Sequence, residues 1–91
     1  MPKVRVRFFA TVREAAGMSH ADVDARDLSE LFHVLERQLG PKLGQTLNGV
    51  FSDPERIVVL VNGRNLGRRL DPGYILHEGD EIAIFPPVSG G

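Results

Sequence analysis

The sequence predicts an α+β fold: a mixed sheet of four to five strands packed on one main helix, with an extended tail at the C-terminus. Three stretches carry that prediction. Lys3-Val4-Arg5-Val6-Arg7-Phe8-Phe9 alternates with period two, Leu28 to Leu39 bears an apolar stripe at helical spacing, and Ile57-Val58-Val59-Leu60-Val61 is an apolar, largely β-branched run closed by Asn62-Gly63. A small sheet needs a cover on one face, and a single amphipathic helix supplies it. Ninety-one residues make one domain, read here as 1–86, followed by an extended tail over 87–91.

Taken in order, the first strand places Val4, Val6 and Phe8 on the core face and Arg5, Arg7 and Phe9 on the other. Ala10 to Gly17 reads as a short helix, with Glu14-Ala15-Ala16 favouring it and Gly17 stopping it. Ser19 to Ala25 alternates through Ala21, Val23 and Ala25 and forms the second strand of a hairpin. Asp27-Leu28-Ser29-Glu30 is a capping box, in which Asp27 accepts a free helix N–H and Glu30 reaches back to the cap. Leu28, Leu31, Phe32, Leu35 and Leu39 then face the core, Glu36, Arg37 and Gln38 face water, and Gly40-Pro41 ends the helix. Pro41 to Pro54 reads as a loop pinned by Leu47, Val50 and Phe51. Ile57 to Val61 is a strand with apolar residues on both faces, Asn62-Gly63 a tight turn, and Arg64 to Leu66 a short returning strand. Asp71-Pro72-Gly73 turns the chain, Tyr74-Ile75-Leu76 crosses the end of the core, and Glu78-Gly79-Asp80 turns it into the last strand, Glu81 to Phe85.

Pro86 and Pro87 follow that strand, and neither has an N–H to continue a ladder, so the chain must leave the sheet as an extended arm. Gly90 and Gly91 carry no Cβ, which suits them to a channel too narrow for other residues. A terminal carboxylate is a poor electrophile until it gains a leaving group, which a partner enzyme holding ATP and a metal ion could supply as an acyl-adenylate. The tail would then be a substrate, not a catalyst.

Composition removes other classes of function. Eleven basic against twelve acidic residues give no general attraction to nucleic acid or membrane. Cysteine is absent, so a disulfide framework, a thiolate metal site and a cysteine nucleophile are excluded. Met1-Pro2-Lys3-Val4-Arg5 has no apolar run of signal-peptide length, and a cytoplasmic protein is expected. His20, His33 and His77 lack metal-ligand spacing, and Glu78, Asp80 and Glu81 solvate a turn. Arg68-Arg69 reads as an ordinary solvated face rather than a salt-bridging contact to a partner, and Lys3 and Lys42 are the only lysines available as acceptors for self-conjugation.

Gly79-Asp80-Glu81 followed by Phe85-Pro86-Pro87-Val88-Ser89-Gly90-Gly91 resembles the C-terminal signature of the small subunit of molybdopterin synthase. Phe9-Ala10, Arg13-Glu14 and Ala16-Gly17 are similar to that family's pattern after the first strand. The family belongs to the ubiquitin-like sulfur carriers, together with thiamin-pathway carriers and the small archaeal modifier proteins. The resemblance implies a ubiquitin-like β-grasp fold with the first and last strands parallel at the sheet centre. Arg5, Arg7, Phe9, Ala83 and Phe85 would then share one surface, extended by Val58 and Leu60 or by Val59 and Val61 according to register.

The resemblance also implies a scheme of action in which this chain is not the catalyst. An adenylating, ubiquitin-activating-like enzyme uses ATP and Mg to activate Gly91, a sulfur donor converts the adenylate to a thiocarboxylate, and the molybdopterin synthase large subunit accepts the tail. Gly91 carries the sulfur, while Pro87, Val88, Ser89 and Gly90 enter the partner and Phe85, Phe9, Arg5 and Arg7 dock the body. The chain itself binds no cofactor and no metal. Two alternatives share the same tail: a protein modifier joined through Gly91 to target lysines, and a sulfur carrier for tRNA thiolation. A fold relative that merely binds a partner would have a dispensable tail. The stretch from Pro41 to Pro54 is longer than a minimal carrier needs.

Overall fold

The computed structural model describes residues 1–48, 57–65 and 70–86. Five strands form one sheet in the order β2-β1-β5-β3-β4, where β1 is Lys3–Phe8, β2 His20–Asp24, β3 Val58–Val61, β4 Arg64–Asn65 and β5 Glu81–Phe85. Three helices, α1 (Ala10–Ala16), α2 (Leu28–Leu39) and α3 (Pro41–Leu47), complete the order. β1 and β5 pair in parallel, with Arg5 opposite Glu81 and Phe8 opposite Ile84, and β5 runs antiparallel to β3 on its other side. The first and last strands thus lie together within the sheet, as expected of a β-grasp fold.

The alternation in β1 is realised without exception: Val4, Val6 and Phe8 are buried and Lys3, Arg5 and Arg7 exposed. Ile82 and Ile84 of β5 and Val59 and Val61 of β3 complete the core side of the sheet, and Leu28, Leu31, Phe32 and Leu35 of α2 close over it. Val58 and Leu60 are half-buried on the opposite face, which settles the register left open by the apolar run. Phe9 lies one residue beyond β1, because the chain there turns into α1. Leu39, the last residue of α2, is only half-buried, and Val34, off the stripe in mid-helix, is buried.

Asp27 caps α2 as its position predicts, its Oδ1 accepting from the Glu30 N–H at 2.8 Å. The return bond differs from the expected one. Glu30 Oε1 accepts from the Arg26 N–H at 2.8 Å, one residue before the cap, where the extended Asp27 forms a bridge with Ile75.

The segment after Gly40 is a helix where a loop is expected. Pro41 stands at its first position, where a missing N–H costs nothing, and Leu43 and Leu47, four residues apart, are both buried. Gly44 reads as a breaker in sequence, yet a Cβ there would fall 2.7 Å from Glu36 Cγ. Its bare backbone is what lets α3 lie close against α2. Val50, Phe51, Leu66 and the Arg68-Arg69 pair lie outside the described residues.

At the lower end of the sheet, where β5 begins, Asn62 and Gly63 both take positive φ, 52° and 79°, as the hairpin turn requires. Gly79 at φ 84° makes the turn into β5. The Asn62 carboxamide joins these turns: Nδ2 donates to Asp80 Oδ1 and Oδ1 accepts from the Glu81 N–H, both at 2.9 Å. Asp80 Oδ2 in turn accepts from the His77 N–H at 2.8 Å. Ile75 stays 59% exposed while Leu76 is buried, so of Tyr74-Ile75-Leu76 only the outer two reach the core.

Candidate functional site

Among the described residues the three helices pack on the core side of the sheet, and no described helix or strand covers the other side. Its residues follow from register: Arg7 of β1, Ala83 of β5 and Leu60 of β3 stand in one row, and Phe85 and Val58 in the next. Ala83, Phe85, Val58 and Leu60 are half-buried although none belongs to the core. Among the described residues that second face is apolar in the middle.

Arginines bound it on the β1 side. Arg5 Nε meets Asp22 Oδ1 at 2.9 Å and Arg5 Nη2 meets Asp22 Oδ2 at 3.4 Å, an arrangement set by the β1–β2 hairpin, which puts the two residues opposite each other. The hydrogen bond from Arg5, and then its charge, hold the Asp22 carboxyl below its ordinary range, and the same bond raises the Arg5 guanidinium. Arg7 Nε reaches Glu81 Oε1 at 3.2 Å, diagonally across the parallel pair. Both arginines are half-exposed, so each can exchange its own carboxylate for one on a partner.

At the upper end the Phe9 and Phe85 rings stack with centroids 4.3 Å apart and planes 7° from parallel. Phe9 remains 37% exposed. The stack is held by backbone as well as by ring contact, since the Phe9 N–H donates to the Ile84 carbonyl at 3.2 Å. Ala10, next in sequence, carries φ 53°, which is uncommon for any residue with a Cβ, and this bend swings the chain off β1 while leaving Phe9 over β5. Pro86 follows Phe85 directly, half-buried and outside the ladder.

The described site residues named from sequence, Arg5, Arg7, Phe9 and Phe85, therefore fall on one face, with Phe9 and Phe85 at the end next to Pro86 and Arg5 toward the end where β5 begins. Pro87, Val88, Ser89, Gly90 and Gly91 lie outside the described residues. Two participants escape the sequence reading. Asp22 and Glu81 engage the arginines, and the signal that finds them is strand register, which a lone sequence leaves unpinned. His20 sits on β2, His33 on α2 and His77 in the turn before Gly79, in three separate places. No described helix is long and apolar enough to cross a membrane.

Residues 6–91 match the model of the ThiS family. Over 93 aligned residues the chain is 31% identical to small archaeal modifier protein 3 of Haloferax volcanii, covering 98% of this chain and 99% of that protein. The solution structure of small archaeal modifier protein 1 from Methanosarcina acetivorans superposes with a TM-score of 0.75 at 29% identity, covering 100% of this chain and 98% of that one. A chain of the complex of subunits 1 and 2 of molybdopterin-converting factor from Helicobacter pylori superposes with a TM-score of 0.63 at 26% identity, covering 98% of this chain and 99% of that one.

Proposed function

The chain belongs to the ThiS family of ubiquitin-like sulfur carriers, and on that premise we propose that it delivers sulfur from a C-terminal thiocarboxylate on Gly91 as the small subunit of a molybdopterin synthase. The observation that carries this reading is the junction at Phe85 and Pro86. The central strand β5 ends there and the sequence continues as Pro-Pro and Val88-Ser89-Gly90-Gly91, beside a face with a stacked aromatic pair. Activation begins when a Gly91 carboxylate oxygen attacks the α-phosphorus of ATP, bound with Mg on a separate adenylating enzyme, and displaces pyrophosphate. A sulfur nucleophile then attacks the acyl carbon and AMP leaves, so no oxidation of the carrier is involved. The open face docks the body, with Leu60, Ala83 and Phe85 at its centre and Arg5 and Arg7 at its rim, while Pro87 to Gly91 extend into the partner. A subunit-to-subunit complex in the Helicobacter pylori relative supports a partner of this kind.

The whole-length likeness to small archaeal modifier protein 3 favours a second reading, in which a target lysine amine attacks the same activated Gly91 and forms an isopeptide bond. Mass spectrometry of protein purified from its native cell separates the two. The mass gain of one sulfur-for-oxygen exchange on the C-terminal peptide supports the carrier, whereas Gly-Gly remnants on lysines of other proteins support the modifier. Gly91→Ala should abolish either product without unfolding the domain, and sulfur transfer at the wild-type rate would sink both.

A further inference from the structure

Asn62-Gly63 is a sequence prone to spontaneous deamidation, because glycine leaves the following amide nitrogen unhindered. We infer that Asn62 is a chemical modification site held closed by its clamp on Asp80 and Glu81, and that its conversion to aspartate or isoaspartate releases the start of β5. The reaction balances without any redox partner. The Gly63 amide nitrogen loses its proton and bonds to the Asn62 side-chain carbonyl carbon, Nδ2 leaves as ammonia, and water opens the resulting succinimide.

In the folded chain both ends of the carboxamide are engaged. Nδ2, the leaving nitrogen, donates to Asp80 Oδ1, and Oδ1 accepts from the Glu81 N–H. The backbone of Asn62 is fixed as well, its N–H donating to the Glu81 carbonyl at 2.7 Å. The side chain cannot swing onto Gly63 without losing both of its bonds, so reaction proceeds through a local opening of the turn. Once formed, an aspartate at position 62 faces the Asp80 carboxylate with no proton to donate, and two like charges replace a hydrogen bond. Isoaspartate also adds a methylene to the backbone of a two-residue turn. Either product removes the side-chain clamp that fastens the Asn62-Gly63 turn to the start of β5, at the end of the ladder between β3 and β5.

The molecule carries its own control. Asn48 also precedes a glycine, but it is an exposed residue at the end of α3 and its carboxamide bonds to no described residue. Incubating the full chain at mildly alkaline pH, with peptide mapping of the amide-to-acid mass gain, compares the two sites in one sample. Asn62 should react at least about tenfold more slowly than Asn48 in the folded protein and at a similar rate in urea. Asp80→Ala should accelerate Asn62 alone. Equal folded-state rates at the two sites, in a sample shown to be folded by circular dichroism, would overturn the gating. The species converted at position 62, isolated by ion exchange, should lose hydrogen-exchange protection at the β5 amides, and unchanged protection would overturn the release.

Discussion

Asp22 and Ala10 show how single residues tune this surface. The Asp22 carboxyl is held low chiefly by the hydrogen bond from Arg5, so its contribution to stability is complete above the ordinary carboxylate range and is lost as pH falls through its lowered value. The raised Arg5 works in the opposite sense and gives way only under strongly alkaline conditions. Asp22→Asn should therefore flatten the acid limb of a stability-versus-pH curve measured by urea unfolding; a limb as steep as the wild type's would show that other carboxylates set it. At Ala10 the positive φ tolerates a methyl group but not a branched Cβ. Ala10→Val should cost about 1–2 kcal/mol and disturb the Phe9 ring above Phe85, whereas Ala10→Gly should be close to neutral, with chemical denaturation as the check.

At the scale of elements, α3 is the instructive case. Pro41, Gly44 and Asn48-Gly49 read as loop punctuation, and the burial of Leu43 and Leu47 depends on α1 and α2, which only the tertiary structure brings alongside. Gly44 should gain up to about 1 kcal/mol of helix propensity on replacement by alanine, but only once Glu36 moves. The gain should accordingly be larger in a Glu36→Ala background, and a double-mutant cycle with no coupling would show that the two helices do not meet as described. The capped helix α2 and the alternating strand β1 were legible because local rules and burial agree there, and Asp27→Ala should cost about 1 kcal/mol of stability. The open face was legible in part. Arg5, Arg7, Phe9 and Phe85 follow from alternation and the tail motif, while Asp22, Glu81 and the Asn62 clamp follow only from cross-strand register.

For the molecule as a whole, the proposed function makes the open face and the tail serve one partner, so each should fail separately. Leu60→Asp places a charge amid the half-buried row and should weaken binding to the activating partner more than about tenfold while the domain still folds, by calorimetry and circular dichroism. Undiminished affinity would move the interface elsewhere. Core and face meet in β5, whose Ile82 and Ile84 are buried while Ala83 and Phe85 look outward. β5 also lies between a parallel β1 and an antiparallel β3, with four residue pairs to each. A pull on the C-terminus opposed at the N-terminus would drive β1 and β5 past one another lengthwise, loading all of their shared hydrogen bonds at once instead of peeling them singly. β5 is thus tethered in shear between two neighbours, so under the proposed function a partner drawing on the residues that follow it would load both ladders together before the body gives way.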